Sequence, residues 1–159
     1  EVISPYQQRG FKFALQLESV PEIELRRLSF KRLLVNLIEN ALHYGGKQVD
    51  VAVRQEKIDN LPHMQISVAD RGPGLAEEDL ATIFNPFMRA EQARSGQGAG
   101  LGLAIVQRIA ALHGGKVALT NRETGGLLAK VSLPLEVDRP RPKLKLYYRR
   151  KKTVEHGKS

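Results

Sequence analysis

Two asparagines four residues apart, Asn36 and Asn40, stand in a run otherwise built of Leu, Val, Ile and Ala, and His43 and Tyr44 follow one turn later. At helical spacing the four share a face. Amide side chains beside a buried face cost free energy unless they find partners. An asparagine oxygen is also a hard, neutral ligand, suited to a magnesium ion that keeps several waters and bridges phosphates. The alternative is a helix whose polar edge simply meets water. Asp70 is the second candidate. It closes an alternating strand pattern and precedes Arg71-Gly72-Pro73-Gly74, where backbone can approach a ligand closely. A carboxylate there can accept from an exocyclic amino group such as adenine presents, or it can serve as an ordinary turn residue.

Glycine is dense in a third place, Gly96-Gln97-Gly98-Ala99-Gly100-Leu101-Gly102, which runs directly into an apolar helical pattern. Exposed backbone N–H groups and a positive helix end suit a phosphate; a loop with a tight helix entry is the plainer reading. No window fits G-x-G-x-x-G, so a dinucleotide fingerprint is absent. Gly157-Lys158-Ser159 resembles the end of a P-loop, but Lys152 stands where its first glycine belongs.

The elements that must position these residues are legible from periodicity. Phe11, Phe13, Leu15 and Leu17 alternate as a half-buried strand, with a short piece at 22–25 to pair with it. A helix is predicted over 29–44, with Ser29 as N-cap and Gly45-Gly46 as its stop. Strands follow at 48–55 and 63–69, joined by a turn at 59–62. A long irregular stretch from Asp70 to Gly100 holds one short helix near 77–83, with three acids in its first turn. A helix over 101–112 and strands at 116–120 and 127–133 complete the chain, with a turn at Gly125-Gly126. The order of elements predicts an α+β, two-layer sandwich, a mixed sheet of about five strands with three main helices on one face.

Composition sets the outer limits. A chain of 159 residues without cysteine is one domain with no disulfides, thiolate metal sites or cysteine nucleophiles. No apolar run approaches a bilayer span, and Glu1 opens no signal peptide. The net charge of +8 is unevenly placed. Residues 138–159 carry nine Lys/Arg against two acids, a net +7, and residues 1–137 are left with +1. The division is therefore a nearly neutral body, 1–137, and a basic, flexible C-terminal tail, 138–159.

Four boxes, taken in order, resemble the ATP-binding catalytic domain of bacterial sensor histidine kinases within the gyrase, Hsp90, histidine kinase and MutL superfamily. Asn36-Leu37-Ile38-Glu39-Asn40-Ala41-Leu42-His43-Tyr44 is similar to the N box, and Asp70-Arg71-Gly72-Pro73-Gly74-Leu75 to the first glycine box. Phe84-Asn85-Pro86-Phe87-Met88-Arg89 is similar to the F box, and Gly98-Ala99-Gly100-Leu101-Gly102-Leu103 to the second glycine box. The run from Gly102 to Ile109 further resembles osmosensing kinases of the EnvZ type.

The resemblance implies the Bergerat ATP-binding fold, with ATP and Mg²⁺ as cofactors. Asn40 would coordinate Mg²⁺, Asn36 would support the same polar face, and Asp70 would bond the adenine amino group. Gly72, Gly74 and Leu75 would pass close to the base, and Tyr44 would flank the nucleotide. His43 would stand where relatives often place Lys or Arg toward the phosphates, contributing less charge there. Gly98, Ala99, Gly100, Leu101, Gly102 and Leu103 would form the phosphate-facing entry of the last helix. Residues 75–98 would be a mobile lid anchored by Phe84 and Phe87, with Arg89 available to the phosphates. Asn36 stands where the superfamily's ATPases carry a glutamate base, so the resemblance implies phosphoryl transfer, with Asn36, Asn40 and Arg89 as catalytic residues. Glu39 projects away from that face.

The acceptor should be a histidine in a His-Glu-x-Arg/Lys-x-Pro context, which none of His43, His63, His113 and His156 has. The implied partners are the protein's own histidine-containing dimerisation domain and a downstream response regulator, in a homodimeric parent. The implied location is a cytoplasmic segment of an inner-membrane sensor. Two rival functions are a superfamily ATPase or protein-serine kinase, and a module gripping nucleic acid or anionic lipid through Lys143, Lys145, Tyr147, Tyr148 and residues 149–152. A solvated tail is the plainer reading, and nucleic acid is not expected as a partner.

Overall fold

Valines and isoleucines at every second position build the sheet on which everything else rests. The computed structural model describes residues 1–21, 26–84 and 100–135. Its elements are α1 (Ser4–Gln8), β1 (Lys12–Leu17), α2 (Arg27–Gly45), β2 (Gln48–Ile58), β3 (Leu61–Ala69), α3 (Glu77–Thr82), α4 (Gly100–Leu112), β4 (Lys116–Asn121) and β5 (Leu127–Pro134). The five strands form one mixed sheet in the order β1-β2-β3-β5-β4. Only β1 and β2 run parallel; the other three pairings are antiparallel. A parallel pair needs a crossover, and α2 lies in it.

Register puts the apolar positions of neighbouring strands side by side. Val51 pairs with Val68, Ile66 with Val131, and Met64 with Leu133. All are buried, and all share a core with Leu33, Leu37 and Ala41 of α2 and Leu103, Val106 and Ala110 of α4. Each large side chain buried this way is worth about 1.5–3 kcal/mol. Helices α2 and α4 pack on each other and against the sheet. Among the described residues the opposite face carries no helix and is polar, with Asp50, Arg54, Gln65, Ser67 and Lys130 around a shallow depression. This is the predicted α+β two-layer architecture. Helix α3 buries none of its residues, while Ile83 and Phe84 after it pack against the core.

Several local expectations are revised. Helix α2 begins at Arg27, so Ser29 is not its N-cap; the first helical bond runs from the Phe30 N–H to the carbonyl of Arg26, which is extended (ψ 104°). The predicted turn at 59–62 is tighter. Asp59 and Asn60, both at positive φ, close a two-residue hairpin, and Leu61 and Pro62 belong to β3. Residues of this type tolerate the left-handed region through their short polar side chains. The half-buried reading of β1 fails for Leu15 and Leu17, 45% and 63% exposed, because β1 lies at the sheet edge beyond the helices' cover. Helix α1 has no counterpart in the sequence reading; it buries Tyr6, whose hydroxyl donates to Glu39 at 3.1 Å. The predicted strand piece at 22–25 and the tail, 138–159, lie outside the described residues.

Candidate functional site

Helix α2 carries Asn36 and Asn40, and four of its apolar residues, Leu33, Leu37, Ile38 and Ala41, are buried and hold it in place. Asn40 is 8% exposed, and its Oδ1 is buried with no hydrogen-bond partner among the described residues. An unpaired buried carbonyl oxygen costs roughly 1–3 kcal/mol. Of its chain neighbours, Ala41 has no side-chain donor and Glu39 is an acceptor already bonded to Tyr6, so neither can satisfy it. Such an oxygen fits a divalent ion, which is the donor chemistry magnesium takes from protein. Asn36 is half-buried and donates from Nδ2 to the Arg32 carbonyl at 2.7 Å, which orients its Oδ1 outward from the helix axis. A Cβ on Gly102 would lie 3.2 Å from that Oδ1, so glycine lets the first turn of α4 sit over Asn36. Glu39 is held by Tyr6, away from both asparagines.

Asp70 sits at the end of β3, 2% exposed. Its Oδ1 accepts from the Gly72 N–H at 2.9 Å and the Leu127 N–H at 3.0 Å. Its own N–H donates to the Leu127 carbonyl at 3.0 Å, and its carbonyl accepts from Arg122 at 2.7 Å. Oδ2 has no hydrogen bond among the described residues, and it is the one polar atom of Asp70 left for a ligand. The turn fits against α2 with no clearance. A Cβ on Gly72 would stand 2.4 Å from the Tyr44 carbonyl, and one on Gly45 would stand 2.1 Å from the Asp70 Cβ. Gly74, at φ +75°, brings Leu75 to Asn121, which accepts from the Leu75 N–H at 2.9 Å and donates to its carbonyl at 2.6 Å.

His43 and Tyr44 are exposed at the end of α2, ring edge to ring face with centroids 4.8 Å apart. Partial burial raises the Tyr44 phenol above its ordinary value. Leu103 is a core residue, so only its backbone is available to the site. Helix α4 starts at Gly100, placing Gly100, Leu101 and Gly102 in its first turn. Phe84 packs partly buried against the core. Phe87, Arg89, Gly98 and Ala99 lie outside the described residues, as does the Leu101 side chain. Among the described residues no group of three His, Cys, Asp or Glu gathers to hold a metal, and no helix is long and apolar enough to cross a membrane.

The structure thus brings Gly102 to Asn36 and the Asp70–Gly72 turn to the C-terminal end of α2, and Asn40 lies between these two points along the helix. The sequence reading did not find Asn121 and Arg122, which clamp the Asp70 turn from 46 and 52 residues away. It read Gly45 only as a helix stop and Gly126 only as a turn. No spacing rule marks these residues: the sheet register brings Asn121, Arg122 and Gly126 to the Asp70 turn, and the packing of α2 against that turn brings Gly45.

The chain is similar in sequence and fold to known proteins. A family model described as histidine kinase-, DNA gyrase B-, and HSP90-like ATPase matches residues 26–137. The chain is 39% identical over 105 residues to the sensor protein KdpD of Escherichia coli K12, across 66% of this chain and 12% of that protein. It is 38% identical over 114 residues to the sensor histidine kinase component HK1 of Mycobacterium tuberculosis H37Rv, across 70% of this chain and 62% of that one. The chain therefore spans less than two thirds of these relatives. Among solved structures, the nucleotide-free catalytic domain of the histidine kinase ThkA is similar at TM-score 0.66 and 28% identity, covering 84% of this chain and 88% of that one. Full-length ShkA in complex with AMPPNP is similar at TM-score 0.64 and 30% identity, covering 86% of this chain and 28% of that one.

Proposed function

The chain belongs to the histidine kinase-, DNA gyrase B- and HSP90-like ATPase family, and from that premise we propose that it is the nucleotide-binding catalytic domain of a two-component sensor histidine kinase. It binds Mg-ATP and passes the γ-phosphoryl group to a histidine on a separate dimerisation domain. The observation that carries this reading is Asn40, whose buried Oδ1 has no partner among the described residues.

Asn40 would hold magnesium together with the nucleotide's phosphates, and the ion would spread the triphosphate's charge. Asp70 Oδ2 accepts from the adenine amino group, and Gly72 and Gly74 let the base lie close to the backbone. Tyr44 and His43 border the nucleotide. The first turn of α4, from Gly100, offers backbone N–H groups and a positive helix end to phosphate. In a loose phosphoryl-transfer transition state, the protein's part is to position reactants and stabilise charge. Arg89 joins that task in this reading. Asn36 has no basic group, and its Nδ2 is spent on Arg32, so it activates no water. That favours transfer over hydrolysis. The parent protein is read as a homodimer at the inner membrane, with this segment in the cytoplasm and a response regulator downstream.

His63 and His113 each donate from Nδ1 to a backbone carbonyl at 2.8 Å, and neither has the acceptor context. Labelled ATP is mixed with this chain and a helical hairpin bearing His-Glu-x-Arg/Lys-x-Pro. Label is expected on the hairpin's histidine. Label on His43, His63, His113 or His156, or steady phosphate release without the hairpin, overturns the proposal.

A further inference from the structure

Asp70 is held by four hydrogen bonds, and one of them comes from a side chain that stands outside the site. Arg122 follows directly on β4, at the start of the turn that leads to β5. Its Nη1 donates to the Asp70 carbonyl at 2.7 Å, and its Nη2 lies 3.4 Å from Asp50 Oδ2. Asp50 sits on β2 opposite Ala69, one residue before Asp70. The same carboxylate takes Arg71 Nη2 at 3.2 Å. Asp50 therefore holds the guanidiniums of both Arg71 and Arg122, one adjoining Asp70 in sequence and one bonded to its carbonyl. A guanidinium has a rigid fork of donors, so it can hold a carbonyl and a carboxylate at once.

The turn is shaped to allow this reach. Gly126 is at φ +97°, and a Cβ there would lie 2.2 Å from the Asp70 carbonyl oxygen. The Arg122 N–H donates to the Gly126 carbonyl at 2.9 Å, so the residue that grips Asp70 is itself gripped by the turn. Arg122 and Asp50 lie at the depression on the polar face of the sheet. The Asp70 Cβ points instead toward Gly45 at the end of α2. Arg122 thus touches Asp70 from the face away from the side chain's target.

We infer that Arg122, anchored by Asp50, is a positioning residue that fixes the Asp70 peptide and so aims the free Oδ2 for recognition of the base. The inference rests on the nucleotide reading above. Without the guanidinium, the Asp70–Arg71 peptide is free to rotate. The two N–H bonds to Oδ1 then loosen, and the carboxylate loses its single orientation. Contacts to the phosphates are unaffected, so the loss falls on base discrimination.

Arg122→Met keeps length and removes both donors. Asp50→Asn leaves Arg122 in place but removes its anchor, and it keeps the test open if the first variant unfolds. Two readouts are taken on the full chain: amide hydrogen exchange without nucleotide, and the ratio of ATP to GTP affinity. The expected result is faster exchange at the Gly72 and Leu127 amides, unchanged exchange at Val68 and Ala129, and a base preference reduced about tenfold. Unchanged exchange at Gly72 and Leu127 overturns the inference. Faster exchange with an intact ATP-to-GTP ratio also overturns it, since Arg122 is then only a brace. A wild-type chain with no preference for ATP removes the nucleotide reading and, with it, a base-aiming role. Exchange at the two amides then shows separately whether Arg122 holds the turn.

Discussion

The two ends of α2's polar face are built on opposite plans. At the C-terminal end, Asp70 is over-determined: three of its four polar atoms are bonded, Gly45 and Gly126 let backbone press against it, and Asn121 and Arg122 brace the turn. Further along that face, Asn40 is under-determined, with a buried oxygen that has no partner among the described residues. The difference teaches how one site can read a base and hold an ion. A base edge is recognised by one rigid acceptor, so order is built in advance. A metal bound through phosphates arrives with its ligand, so the protein leaves an oxygen open and bears its desolvation until then.

Breaking the open end has the largest expected effect. Asn40→Ala abolishes magnesium-dependent ATP binding in calorimetric titration while the nucleotide-free fold stays cooperative. Asn40→Leu, which removes the orphaned oxygen, raises nucleotide-free stability by about 1 kcal/mol in urea unfolding and equally loses binding. If Asn40→Leu destabilises instead, the oxygen was satisfied after all and the contrast collapses. At the rigid end, Asp70→Asn keeps an acceptor at Oδ1 but sets an amide donor against the adenine amino group. ATP affinity falls on the order of 100-fold with little change in melting temperature, because a charge-assisted contact is replaced by a repulsion.

Gly45→Ala sharpens the comparison through packing. Its new Cβ overlaps the Asp70 Cβ, and overpacking of this kind costs about 2 kcal/mol in denaturant unfolding. Gly46→Ala, where a Cβ meets nothing but φ is +78°, reports conformational strain alone. The smallest effect lies at α1. Burial, and then the Glu39 carboxylate, raise the Tyr6 phenol above its ordinary value of about 10. A raised folded value means stability is fully present below pH about 10 and is lost as pH rises further. Tyr6→Phe should flatten that alkaline loss, measured as melting temperature between pH 8 and 11.

Much of this contrast was legible in the residues. The four-residue spacing of Asn36 and Asn40 within an apolar helix marked the open end, and the core face Leu33, Leu37 and Ala41 followed from the same period. Asp70 before two glycines marked the rigid end. Other details were not legible. Ser29 has the side chain of a cap, yet the helix begins two residues earlier because the backbone at Arg26 is already extended to receive it. Leu15 and Leu17 alternate as a core strand does, yet β1 is an edge beyond the helices, and alternation reports a strand's two faces without saying which is covered.

The sequence by itself determined what near neighbours control: helix and strand periods, the Gly45-Gly46 stop, the first-turn acids of α3, and which side chains could serve an ion or a base. Tertiary structure alone decided how those side chains are held. Gly45 meets Asp70 across 25 residues, Asn121 meets Leu75 across 46, and Arg122 meets Asp70 across 52. Periodicity is a property of a few consecutive residues, whereas these contacts exist only once the sheet register has brought β3, β5 and β4 side by side. Burial of Asn40 Oδ1 with no partner among the described residues is likewise a product of packing, which no helical period reports.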